Sequence, residues 1–193
     1  SRASYPVAGN CTFNGIDMRT PRDISWHKNT QDATSYFACA SKYDNGQVDE
    51  GAVFVYYGSA TGINAAAPTI LESDQKEARF GVFASSAGDI NKDGYSDIVI
   101  GAHMYDKGET NEGAAFVYLG SAQGISKAAS QILESNQAEA NMGYSVGLAG
   151  DVNGDGYSDI VAGAIMYDKG QADEGAVFLY HGSAAGLNPG PVL

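Results

Sequence analysis

Asp89-Ile-Asn-Lys-Asp-Gly-Tyr-Ser-Asp97 decides how this chain is read, and it returns as Asp151-Val-Asn-Gly-Asp-Gly-Tyr-Ser-Asp159. Counted from the first Asp, oxygen-bearing side chains stand at positions 1, 3, 5 and 9, with Gly at position 6. A hard cation such as Ca2+ needs several oxygen ligands, and a tight turn with alternating acids and amides delivers them. The first set is Asp89, Asn91, Asp93, the backbone carbonyl of Tyr95, and Asp97. The second is Asp151, Asn153, Asp155, the carbonyl of Tyr157, and Asp159. An EF-hand would place Glu at position 12, where Ile100 and Ala162 stand here, and would be flanked by helices. The expectation is two structural calcium ions, each held in a loop between strands. Magnesium suits such a loop less well, because it keeps several waters. The competing reading is a solvated Asp/Asn/Gly turn, and two copies in one register weigh against it.

The two loops lie 62 residues apart, and that interval governs most of the chain. Gly51-Ala-Val-Phe-Val-Tyr-Tyr-Gly-Ser59 returns from Gly113 to Ser121 and again from Gly175 to Ser183. Tyr43-Asp-Asn-Gly46, Tyr105-Asp-Lys-Gly108 and Tyr167-Asp-Lys-Gly170 keep the register, as do Ile70-Leu-Glu-Ser73 and Ile132-Leu-Glu-Ser135. Searching for repeats before anything else is what exposes this organisation.

The middle unit predicts four strands. Phe80–Ala84 is a short apolar segment before the loop, and Ile98-Val-Ile100 is a β-branched run suited to a strand covered on both faces. Ala114–Leu119 is the third strand and Ile132-Leu133 the fourth, with turn chemistry between them. Four antiparallel strands repeated in series are the signature of propeller blades. The expected fold class is therefore all-β, with three blades in this chain.

The first unit keeps its second strand at Tyr36–Cys39 but not its loop. His27, Gln31 and Ser35 stand where Asp89, Asp93 and Asp97 stand, so no ion is expected there. The division this implies is an arm at 1–10, a blade without a calcium loop at 11–72, and calcium-loop blades at 73–134 and 135–193. The last blade is expected to have a truncated outer strand, whose open edge Val192-Leu193, the arm or another chain could cover.

The segment from Phe80-Gly81 through Ala87–Ala102 resembles the FG-GAP repeat of integrin α-subunit propellers, and so does Met142-Gly143 with Ala149–Ala164. The resemblance spans about residues 36 to 187. It implies a propeller fold, commonly seven-bladed, with calcium ligands at the loop positions named above and partner-binding loops on the opposite face. The family's Gly-Ala-Pro is Gly101-Ala-His103 and Gly163-Ala-Ile165 here. Three units do not make a seven-bladed ring. A fragment, a propeller completed between chains, and an open stack are all compatible with the sequence.

Composition excludes several functions. The net charge is −12 with 11 basic residues, which argues against nucleic-acid and anionic-membrane partners. No apolar stretch approaches membrane-spanning length, so no membrane insertion is expected. His27, His103 and His181 fall at different register positions and form no catalytic arrangement, so no enzyme is expected. Cys11 and Cys39 are either two buried thiols or one disulfide. The extracellular or cell-surface setting implied by the resemblance (a periplasm is the bacterial equivalent) favours the disulfide. The expected function is a calcium-stabilised module for adhesion or assembly, acting through a protein partner or self-association at open blade edges. The alternative is a carbohydrate-binding propeller, for which Trp26 is the only tryptophan available.

Overall fold

The computed structural model describes residues 11–13, 16–18, 24–28, 35–59, 62–63 and 68–192. It is all-β, with no helix among those residues. β1 (Cys11–Phe13) pairs with β2 (Ile16–Met18). The first large sheet orders β3 (Ile24–Lys28), β4 (Ser35–Ala40) and β5 (Ala52–Ser59). Both β6 (Gly62–Ile63) and β7 (Thr69–Glu72) also pair with β5. The second sheet runs β8 (Phe83–Gly88), β9 (Asp97–Ala102), β10 (Ala114–Tyr118) and β11 (Gln131–Glu134). The third runs β12 (Met142–Gly150), β13 (Asp159–Ala164) and β14 (Ala176–Tyr180), followed by a small hairpin of β15 (Gly182–Ser183) and β16 (Gly186–Leu187). Every strand pairing within these sheets is antiparallel. They are sheets of the propeller-blade type.

The β-branched runs do what their composition implies. On β9, Ile98, Ile100 and Ala102 pack toward the first sheet, while Val99 packs toward the third. On β10, Phe116 and Tyr118 face the first sheet, and Ala115 and Val117 the third. Side chains alternate along a strand, so one sheet supplies both neighbouring cores. Each unit also seats its turn tyrosine edge-on against the phenylalanine of its third strand. Tyr43–Phe54, Tyr105–Phe116 and Tyr167–Phe178 have ring centroids 5.4, 5.1 and 5.1 Å apart. The T-shaped geometry sets the positive ring edge on the negative face.

Two sequence expectations are corrected. The strand expected at 80–84 begins at Phe83, because Arg79 (φ 58°) and Gly81 (φ 80°) are left-handed and break the extended chain. Phe80 lies in the turn before β8, fully buried, with its ring edge-on to Phe116 and Tyr118. His27, expected to open the degenerate loop, lies within β3 opposite Phe37. Strand pairing reaches Lys28, so the first-unit hairpin connection is shorter than the register implied. Residues 1–10 and Gln31 lie outside the described residues.

The edge of the third sheet carries a single bridge. Leu179 and Val192 exchange backbone hydrogen bonds at 3.0 and 2.8 Å. The rest of β14 has no outer neighbour among the described residues, and Val177 is 62% exposed.

Candidate metal centre

Each acidic loop is a hairpin connection between the first two strands of its sheet. In the first, Asp89 accepts the N–H of Asp93 on Oδ1 (3.0 Å) and of Gly94 on Oδ2 (2.9 Å). Asn91 Oδ1 accepts Asp93 N–H at 3.1 Å, and Asp93 Oδ1 accepts Tyr95 N–H at 2.9 Å. The second loop repeats this atom for atom. Asp151 accepts the N–H of Asp155 (3.0 Å) and Gly156 (2.8 Å). Asn153 Oδ1 accepts Asp155 N–H at 3.1 Å, and Asp155 Oδ1 accepts Tyr157 N–H at 2.9 Å. Gly94 (φ 89°) and Gly156 (φ 85°) take the left-handed turn their position demands.

The last acid of each loop is different. Asp97 and Asp159 are fully buried at the start of β9 and β13. Asp97 accepts Ile90 N–H and Gly120 N–H, both at 2.8 Å. Asp159 accepts Val152 N–H (2.8 Å) and Gly182 N–H (2.9 Å). Each therefore ties its loop to the turn after the third strand.

Their electrostatics diverge, in part because Leu119 occupies the register that His181 fills one unit later. Burial, with a smaller contribution from Asp93 and Asp89, pushes the Asp97 carboxyl up to about 6 despite its two N–H donors. Burial also pushes Asp159 up, but the N–H groups of Gly182 and Val152 together with His181 outweigh it and leave it lowered. His181 Nδ1 lies 3.1 Å from Asp159 Oδ2.

All ten residues expected as ligands thus lie in the two loops, five in each. Among the described residues, no three Asp, Glu, His or Cys side chains form a closed metal cluster. Instead the position-3 amide takes a cation's part. Asn91 Nδ2 donates to Asp93 Oδ2, and Asn153 Nδ2 to Asp155 Oδ2, both at 2.9 Å. The donor set is entirely oxygen, with three carboxylates in each loop. That chemistry fits a hard divalent cation. Cys39 is buried in the core between the first two sheets, and the Cys11 side chain lies outside the described residues.

Sequence reasoning missed the joints between units. Phe80 N–H donates to Glu50 O, and Met142 N–H to Glu112 O, each at 2.9 Å. Gly51 and Gly113 lie so close to Phe80 and Met142 that a Cβ would overlap their backbone. Gln75 clasps Asp106 through both its N–H (2.7 Å) and its carbonyl (2.8 Å), and Gln137 clasps Asp168 in the same way (2.6 and 3.2 Å). The missed signal was the Glu-Gly pair before each third strand, at 50–51, 112–113 and 174–175.

Antiparallel sheets of three or more strands repeated along the chain, two of them with acidic hairpin loops, define a propeller-type repeat protein. The FG-GAP repeat model matches residues 81–118 and 142–180. Integrin alpha-6 of Homo sapiens is 36% identical over 172 residues, covering 81% of this chain. Integrin alpha-5 of Xenopus laevis is 31% identical over 150 residues, covering 75%. The chain spans 15% and 14% of the length of these two relatives. This chain belongs to the FG-GAP repeat family and is homologous to integrin α-subunits over most of its length.

Proposed function

We propose that this chain is an extracellular or cell-surface module, stabilised by two calcium ions, that serves adhesion or assembly by docking a protein partner. Its working units are the blades at 11–72, 73–134 and 135–193, preceded by an arm at 1–10. Asp89, Asn91, Asp93, Tyr95 and Asp97 hold one ion. Asp151, Asn153, Asp155, Tyr157 and Asp159 hold the other. The ions neutralise the loops and fix their shape.

One observation carries the docking reading. Val177 is 62% exposed, whereas Ala115 and Val53, its counterparts one and two units earlier, are fully buried. Glu50 and Glu112 are buried under the next unit, and Glu174 is exposed. Gly175 keeps the left-handed conformation of Gly51 and Gly113, at φ 75° against 82° and 73°. The third unit therefore presents, ready-shaped, the face that the first two units bury. A further blade of the same kind, from this polypeptide or another, is the partner that fits it. Cys11 and Cys39 pair in the same oxidising setting, and a mass gain of two hydrogens on reduction checks that bond.

Light scattering after size exclusion tests the docking reading. Wild type is expected to associate with rising concentration, and Val177→Asp to abolish association without changing the melting temperature. Selective glycan capture on an array by a protein that stays monomeric would overturn the reading in favour of a carbohydrate-binding propeller.

A further inference from the structure

The two acidic loops touch. Asp89, the first residue of loop one, donates its N–H to Ser158 Oγ at 3.2 Å and accepts the Ser158 N–H on its carbonyl at 3.1 Å. Ser158 stands between Tyr157 and Asp159, the last two ligand positions of loop two. Ile90 O accepts the N–H of Ser183 at 3.1 Å, next to Gly182, whose own N–H holds Asp159. Lys92 reaches across as well. Its Nζ donates to Asp155 O at 3.2 Å and sits 4.7 Å from the Tyr157 ring centroid. The fit is close. A Cβ on Gly88 would overlap Ser158, one on Gly156 would overlap Lys92, and one on Gly182 would overlap Ser158 O.

We infer that the two loops bind calcium cooperatively, coupled through the two hydrogen bonds between Asp89 and Ser158. This rests on the reading that both loops hold calcium. An ion in loop one fixes Asp89, and with it the two hydrogen bonds to Ser158. Those bonds set the backbone that aims the Tyr157 carbonyl and places Asp159. The ordering cost of the joint falls on whichever ion binds first, so the second binds more tightly. Linkage makes the effect equal in both directions. The Lys92 ammonium opposes the ion in loop two. Positive cooperativity therefore requires that ordering through Ser158 exceed this repulsion, and a titration decides it.

The experiment is calorimetric titration of the whole chain with calcium alone, with circular dichroism confirming that each variant is folded. Wild type is expected to take two ions, the second about 5-fold or more tighter than independent sites would give. Asp93→Ala disables loop one, and loop two is then expected to weaken by that factor. Asp155→Ala is expected to weaken loop one equally. Ser158→Ala removes only the Oγ acceptor and no ligand, so it is expected to keep two ions and to lose part of the cooperativity, because the Ser158 N–H still donates to the Asp89 carbonyl. Two ions bound independently in wild type, with Asp93→Ala leaving loop two unchanged, would overturn the coupling while the calcium reading stood. A stoichiometry of zero would overturn both.

Discussion

Met142 donates its backbone N–H to the carbonyl of Glu112 at 2.9 Å, and Gly113 lies close enough that a Cβ there would overlap the Met142 carbonyl. Phe80 stands in the same relation to Glu50 and Gly51. The joint between units is thus made of backbone and a missing side chain, with the apolar ring or thioether filling the space behind it.

Gly113→Ala and Gly175→Ala separate conformation from contact. Both glycines are left-handed, at φ 73° and 75°, and an alanine there is strained by roughly 1–2 kcal/mol. Only Gly113 faces a neighbouring unit, whereas the nearest atom to a Cβ on Gly175 is Ile165 O at 3.2 Å. Urea unfolding is expected to show Gly113→Ala as the more damaging change. Equal losses would sink the account of the joint.

Glu112 is buried, and its Oε1 accepts the N–H of Lys107 at 2.7 Å and of Glu109 at 3.3 Å. Removing the carboxylate strands those donors at a cost of about 1–3 kcal/mol. Glu112→Ala is expected to lower stability by that amount. Glu174→Ala, at the exposed counterpart, is expected to stay within about 0.5 kcal/mol of wild type.

Chelation is expected to lower the melting temperature, because the loops then hold like charges without a cation. Asp93→Ala and Asp155→Ala are each expected to cut the bound calcium by one ion, read by elemental analysis after dialysis. A melting temperature indifferent to excess chelator would count against structural calcium.

Asp97 gives the calcium-free protein a pH dependence of definite sign. Its folded value, about 6, lies above that of an unfolded aspartate, so the folded state holds the extra proton. Its contribution is fully present below the unfolded pKa and is lost as pH rises through about 6. Denaturant titrations without calcium are expected to show this loss of stability between about pH 4 and 6 in wild type and not in Asp97→Asn. Protons and the ion compete for the same carboxylate, so calcium affinity in loop one is expected to fall below about pH 6.

Gln137→Ala removes the clasp on Asp168. Hydrogen exchange at the Asp168 amide is expected to speed up, with little change in the β13 amides. Unchanged exchange at Asp168 would mean that the turn holds itself.

Much of this was legible because one interval repeats. The loops, the β-branched strands and the turn tyrosines recur in register, and a contact that recurs must be satisfied each time by the same local chemistry. The start of β8 was not legible, since Phe80 is as apolar as a strand residue and only the left-handed Arg79 and Gly81 exclude it. The divergence of Asp97 and Asp159 was also hidden. It depends in part on Leu119 against His181, residues 22 positions beyond each aspartate and brought near only by strand pairing. The contact between loops escaped for the same reason, because nothing local in Ser158 announces that it faces Asp89.

The Phe80 and Met142 joints bear on how such a chain changes length over time. A contact written in main-chain atoms and a bare Cα does not ask its neighbour for a particular identity, as the exchange of Phe for Met demonstrates. A Glu-Gly pair before the third strand of one unit forms a backbone socket that accepts an apolar residue followed by Gly from the next unit. At this joint, duplicating or deleting a whole unit keeps each socket matched to a plug at either border. An insertion of part of a unit has no such border, and would leave one socket unfilled and one strand out of step.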